Sequence, residues 1–290
     1  MSRHKARIIG LLGLLFLCGL TGCSSVRLAY ATAPTFGWIW LDNYVDFSRA
    51  QAPAVKKDID AFFDWHRTTQ LPVFLPLLAS AQAQVLEPAT PAQACQWEAT
   101  LRDRLQPTLD KALGMAADWL PGLGEPQFKS IEKRYARNIQ DMRDDYLQPD
   151  PAVRQAESVK RVLERAERLY GSLDEAQRKV VQDGVSASPF DPELWMRERQ
   201  RRQRDTLQTV RRLQAERAGH DQRLAALSAL VARTERSPDP EYRAYQQHLT
   251  DYNCNFVAQL HNATTPAQRR KARENLKGWE DDLRMLISGS

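Results

Sequence analysis

Asp60, Asp64, His66 and Arg67 are this chain's nearest approach to a catalytic set. An imidazole beside a carboxylate can take a proton from water as a general base. On that basis the chain could be a hydrolase centred on His66, with Asp60 or Asp64 orienting the ring. The same histidine, however, continues an apolar stripe through Val55, Ile59 and Phe62, where a core ring satisfied by one partner is the simpler expectation. His248, Cys254 and His261 offer metal-ligand chemistry, but their spacing matches no standard zinc pattern. The sequence contains no Gly-x-Ser-x-Gly elbow, no His-Glu-x-x-His helix and no phosphate loop. The expectation is a protein that is not an enzyme and needs no cofactor. Charge placement is more suggestive. Helix N-termini favour acids, yet Arg197, Arg199, Arg201, Arg202 and Arg204 load the early turns after Asp191, and Arg269, Arg270, Lys271 and Arg273 crowd the start of the last helix. These are the candidate partner-binding residues. The competing account is a solvated face neutralised by acids from a neighbouring helix.

The N-terminus supplies an address. Arg3, His4, Lys5 and Arg7 precede an apolar run over residues 8–20, and Leu20-Thr21-Gly22-Cys23 closes it. A basic start followed by a short apolar run is the order of a secretion signal. The closing four residues resemble the lipobox of bacterial lipoproteins. The resemblance implies that residues 1–22 are a cleaved signal peptide and that Cys23 becomes the lipid-bearing first residue, with diacylglyceride and palmitate chains. Each buried acyl CH₂ contributes about 0.8 kcal/mol, so several chains hold a protein at a membrane without a spanning helix. Ser24 and Ser25 follow the cysteine. In the lipoproteins it resembles, an Asp in that place favours the inner membrane, so the expected location is the periplasmic side of the outer membrane, with the inner membrane as the alternative.

Removing residues 1–22 leaves 38 of 41 basic residues against 36 acids. A balance so close to neutral does not support a nucleic-acid-binding field. Cys18 leaves with the signal and Cys23 takes the lipid, which leaves Cys95 and Cys254. In an oxidising envelope their expected fate is a disulfide, the metal site being the rival.

Helix starts recur along the chain. Ser48-Arg-Ala-Gln51, Thr90-Pro-Ala-Gln93, Asp174-Glu-Ala-Gln177 and Thr265-Pro-Ala-Gln268 each set a capping residue three positions before a Gln, with Gly124-Glu-Pro-Gln127 as a weaker relative. Apolar stripes of helical period follow, such as Phe128, Ile131, Tyr135, Ile139, Met142 and Tyr146. The first stripe is expected to end where Leu71 meets Pro72. Further helices are expected over 153–170, from Asp191 to about 217, over 224–233 and over 242–261. The fold class is therefore all-α, one or more antiparallel multi-helix bundles behind the signal peptide. Residues 23–46 read as a short lipidated, membrane-proximal segment and 47–290 as the helical domain, divisible into sub-bundles 47–186 and 187–290. Tyr30, Phe36, Trp38, Trp40 and Tyr44 of the proximal segment suit either a lipid interface or ordinary core packing, the second being preferred.

Phe47-Ser48-x-x-Gln51 and Leu173-Asp174-x-x-Gln177 are similar to the L-T-x-x-Q motif of the Spy-type periplasmic chaperones. That resemblance implies a helical body cradling unfolded envelope proteins. The lipobox, Leu41-Asp42-Asn43-Tyr44-Val45-Asp46 and Asp64-Trp65-His66-Arg67 together resemble an uncharacterised family of Gram-negative lipoproteins, which brings no activity with it. The functional expectation is a binding module with a chaperone-like or protein-interaction role, its partners being the membrane and envelope proteins. An envelope hydrolase and a purely structural tether are the alternatives.

Overall fold

The computed structural model describes residues 25–289. Residues 1–22, expected to be a signal peptide, and Cys23, expected to bear the lipid, lie outside these residues. The architecture is all-α, without strands among the described residues. In chain order the helices are α1 (Ser25–Val45), α2 (Ala52–Trp65), α3 (Leu71–Gln84), α4 (Pro91–Trp119), α5 (Glu125–Tyr146), α6 (Pro151–Tyr170), α7 (Glu175–Ser186), α8 (Pro192–Ala215), α9 (His220–Glu235), α10 (Pro240–Asn262) and α11 (Pro266–Ser288). None of these helices is long and apolar enough to cross a membrane.

Residues 25–45 form a full helix, α1, packed against α2, α5 and α11. One local outcome differs from expectation, in that the stripe of α2 does not stop at Pro72. Proline lacks the N–H that an α-helix would use and its ring crowds the preceding turn. The chain answers with one π turn, His66–Gln70. There the Leu71 N–H donates to the His66 carbonyl, five residues back, and α3 continues beyond it.

The capping pattern is realised and extended. In the boxes at Thr90, Asp174 and Thr265 the cap side chain accepts the N–H three residues on, and the Gln returns to the cap's own N–H. Most of these glutamines then reach a second element. Gln51 Nε2 donates to the Gly122 carbonyl, and Gln177 Nε2 donates to the Ala263 carbonyl at 3.0 Å. Gln268 Nε2 reaches the Ser172 carbonyl at 2.8 Å, and the Gln177 and Gln268 amides bond one another at 2.8 Å. The starts of α7 and α11 are thereby locked together. Gly219 lies in the break between α8 and α9 and opens α9, its N–H donating to the Gln222 side chain at 3.0 Å.

Among the described residues, two apolar patches stand out in the core. Ala117, Leu120, Phe128, Val210, Leu213, Ala218 and Leu227 join α4, α5, α8 and α9. Ala166, Leu173, Val181 and Leu260 join α6, α7 and α10. Each patch draws on helices from both sides of residue 186. Full burial of a Leu or Phe is worth on the order of 1.5–3 kcal/mol, so these patches hold the framework. Cys95 on α4 and Cys254 on α10 form a disulfide, with Cα atoms 5.3 Å apart.

Candidate functional site

The residues singled out by type and spacing fall into place first. His66 lies half-buried among Tyr30, Phe62 and Trp65. Its Nδ1 is 3.0 Å from the Tyr30 hydroxyl, and burial holds its pKa below the usual histidine value. Asp60 and Asp64 are exposed, and Asp64 pairs with Arg67 at 3.0 Å. The hydrogen bond recorded for His66 is therefore to a tyrosine, not to a carboxylate.

Of the metal-type set, Cys254 is committed to the disulfide. His261 accepts from the Tyr170 hydroxyl at 2.8 Å through Nδ1 and donates to the Glu87 carbonyl at 2.7 Å through Nε2. Burial pushes its pKa down and that of Tyr170 up to about 12. The described residues contain no group of His, Cys, Asp and Glu arranged to hold a metal ion.

The arginine clusters separate by role. Arg201 and Arg202 both hydrogen-bond the buried Glu198 carboxylate, at 2.8–2.9 Å, and Arg201 also meets Asp205. Burial alone would raise the Glu198 pKa; the two guanidinium hydrogen bonds outweigh it and hold the carboxyl below the usual range. Arg199 lies over the Trp195 ring at 6.0 Å, whereas Arg197 and Arg204 are exposed. Arg269, against the dipole of its own helix, turns back onto the end of α10. It donates to Thr264 Oγ1 and to the carbonyls of Leu86, His261 and Asn262, where a cation is favoured. Lys271 pairs with Glu274 at 3.9 Å, and Arg270 and Arg273 are exposed.

A different set of arginines forms a site. Arg154, Ser158, Arg161 and Arg165 repeat along one face of α6 and line a cleft of about 550 Å³ between α6, α7, the start of α8 and α10. That volume is on the scale of ligand pockets, roughly 300–1,000 Å³. Each of the first two arginines is oriented by carbonyls at the end of α5. Arg154 Nη2 donates to the Gln148 carbonyl at 2.8 Å, and Arg161 Nη1 donates to the Asp145 carbonyl at 3.2 Å. The Arg161 guanidinium also sits 4.6 Å from the Tyr146 ring centre. Arg165 is exposed, with no hydrogen bond or ion pair among the described residues.

Aromatic rings make the opposite wall. Tyr146 and Trp195 meet edge to face at 5.2 Å, with Phe190 5.9 Å from Trp195. Tyr252 and Phe256 come from α10, the Tyr252 hydroxyl donating to the Gly184 carbonyl. Gly184 is required by this approach, because a Cβ there would overlap the Phe256 ring. Among the described residues that line the cleft there is no Asp or Glu. A second groove of about 630 Å³ runs along the other side of α6. The two share Gln155 and Ser186, whose side chains hydrogen-bond at 2.8 Å and form the divide between them.

The sequence reading missed this site. Its one signal was the spacing of Arg154, Arg161 and Arg165, which sets three cations on one face of α6 while Val159, Val162, Leu163 and Ala166 pack into the core. Which aromatics would face them depended on tertiary structure.

The family described as "Family of unknown function (DUF6279)" matches residues 43–243, and the chain belongs to that family. The match includes the arginines of α6 and stops before Tyr252 and Phe256. No curated protein and no solved structure matches the chain.

Proposed function

We propose that this protein is a lipid-anchored binding module of the bacterial cell envelope, facing the periplasm from the outer membrane, that holds acidic, aromatic-bearing segments of other envelope proteins in a chaperone-like way. The observation that carries the binding reading is the cleft itself, in which three arginines face a wall of aromatic rings with no carboxylate among the described lining residues. Guanidinium groups give charge-assisted, often bidentate hydrogen bonds to carboxylates, and the rings offer stacking area with little ordering cost. The second groove, beyond the Gln155–Ser186 divide, is lined by Glu164 and Glu167, which leaves the arginine-lined cleft as the place for an acidic segment. The envelope address is supported by Leu20-Thr21-Gly22-Cys23 and by a disulfide of the kind that persists in oxidising compartments.

The test is binding of a labelled, unfolded acidic polypeptide to the purified protein, with a basic polypeptide of equal length for comparison. The acidic probe is expected to bind, to weaken as salt rises, and to lose about tenfold in affinity in Arg165→Glu. Arg270→Glu, exposed at the start of α11, should leave it unchanged. The reverse pattern would move the site to the last helix. No binding of either polypeptide would remove the reading.

A further inference from the structure

The first helix divides its aromatic residues between two faces. Tyr30 packs on Phe63 and His66, Trp38 stacks on Phe47, and Tyr44 meets Tyr135 edge on. Leu28, Phe36, Ile39 and Trp40 instead face outward, with relative exposures of 62%, 64%, 46% and 60%. Their spacing sets them in one strip along α1, joined by the exposed Ala29, Ala31, Thr35 and Asn43. None of these is charged. Two polar side chains along the strip are turned onto the helix itself, Thr32 Oγ1 donating to the Leu28 carbonyl at 2.9 Å and Asn43 Nδ2 to the Ile39 carbonyl at 2.8 Å. Cations flank α1 from its two neighbours, Lys56 of α2 lying 4.7 Å over the Trp38 ring and the Arg134 guanidinium of α5 lying 5.4 Å from the Tyr44 ring.

Single exposed apolar residues are ordinary, whereas a contiguous uncharged strip marks a surface that is covered. We propose that the outer face of α1 lies in the headgroup region of an anionic bilayer, parallel to the membrane plane, with Phe36, Ile39 and Trp40 inserted and Lys56 and Arg134 near the phosphates. The inference rests on the membrane-anchored reading above and adds an orientation to it. A helix of 21 residues is about 31 Å long, and α1 is not apolar enough to cross a membrane. Its outer face suits lying on the surface, being apolar and aromatic with cations of α2 and α5 at its rim. An uncharged strip between cations also complements anionic lipid better than it complements a second copy of itself, whose strip would bring the same cations together.

The test uses the purified protein with vesicles of phosphatidylethanolamine and phosphatidylglycerol. An environment-sensitive fluorophore is attached in turn at Phe36→Cys and Ile39→Cys, with Glu216→Cys at the end of α8 as the comparison. Labels at 36 and 39 should shift to the blue and lose intensity to a lipid-borne quencher, while the label at 216 does neither. Labels at 36 and 39 that remain water-like at saturating vesicle concentration overturn the proposal. So do labels shielded from lipid and aqueous quenchers alike, which would show that a protein surface covers the strip. The mass of the mature N-terminus is read separately: an unmodified Cys23 removes the anchor but leaves the quenching result to decide the orientation.

Discussion

His261 shows how one buried side chain is fixed by its neighbours. Nε2 donates to the Glu87 carbonyl and Nδ1 accepts from Tyr170, which defines the neutral ring, while burial and the nearby Arg269 oppose a second proton. His66 is likewise held below the ordinary histidine value by burial. A histidine with a lowered pKa binds fewer protons folded than unfolded, so its contribution to stability is present above its unfolded value and is lost as pH falls below it. The melting temperature is therefore expected to drop as the buffer is taken from about pH 7.5 to about pH 5, and His261→Gln, which can still accept and donate, should flatten part of that slope. An equal slope in the variant would assign the effect to other groups. Several of these residues were legible by type but not by role. His66 read as a core ring from its place in the apolar stripe, yet its partner Tyr30 lies 36 residues away and no local pattern names it. Arg269 looked misplaced because a sequence shows the dipole of its own helix and not the carbonyls of the helix before it.

The recurring glutamine belongs to the scale of the helix. A Glu in that position would complete the capping box equally well, but it lacks the amide N–H groups that carry Gln177 to Ala263 and Gln268 to Ser172. Gln177→Glu should therefore keep α7 and still destabilise the protein by about 1–3 kcal/mol, the cost of breaking buried hydrogen bonds. Gln93→Glu, in an exposed box, should be nearly neutral; chemical denaturation of the two variants side by side checks the difference. In this chain these starts thus act as a staple between helices. Helix existence was the most legible level here, since caps and stripes are local. The π turn was not, because Pro72 reads as a stop unless the pairing of α3 with α11 is known, and that pairing, sealed by Gln82 on Glu280 at 2.7 Å, is a matter of tertiary structure.

Across the whole molecule the Cys95–Cys254 disulfide, with a sequence separation of 159 residues, ties α4 to α10. Replacing both cysteines by Ala should lower stability by about 2–5 kcal/mol, measured as a reduced denaturation midpoint, with the reduced native protein behaving alike. The pair was legible once the other two cysteines had been assigned. The cleft was not, because its aromatic wall joins α5, α8 and α10. Residues distant in sequence also meet at the N-terminal end of α1, where Arg27 lies 3.6 Å from Asp282 and its Nη1 3.5 Å from the Met285 sulfur. As the chain folds, α2 can dock on α1 early because the two are neighbours in sequence, but that end of α1 must wait for α11, more than two hundred residues away. A partly folded chain therefore carries an unfinished edge along α1, and closing it is a long-range step.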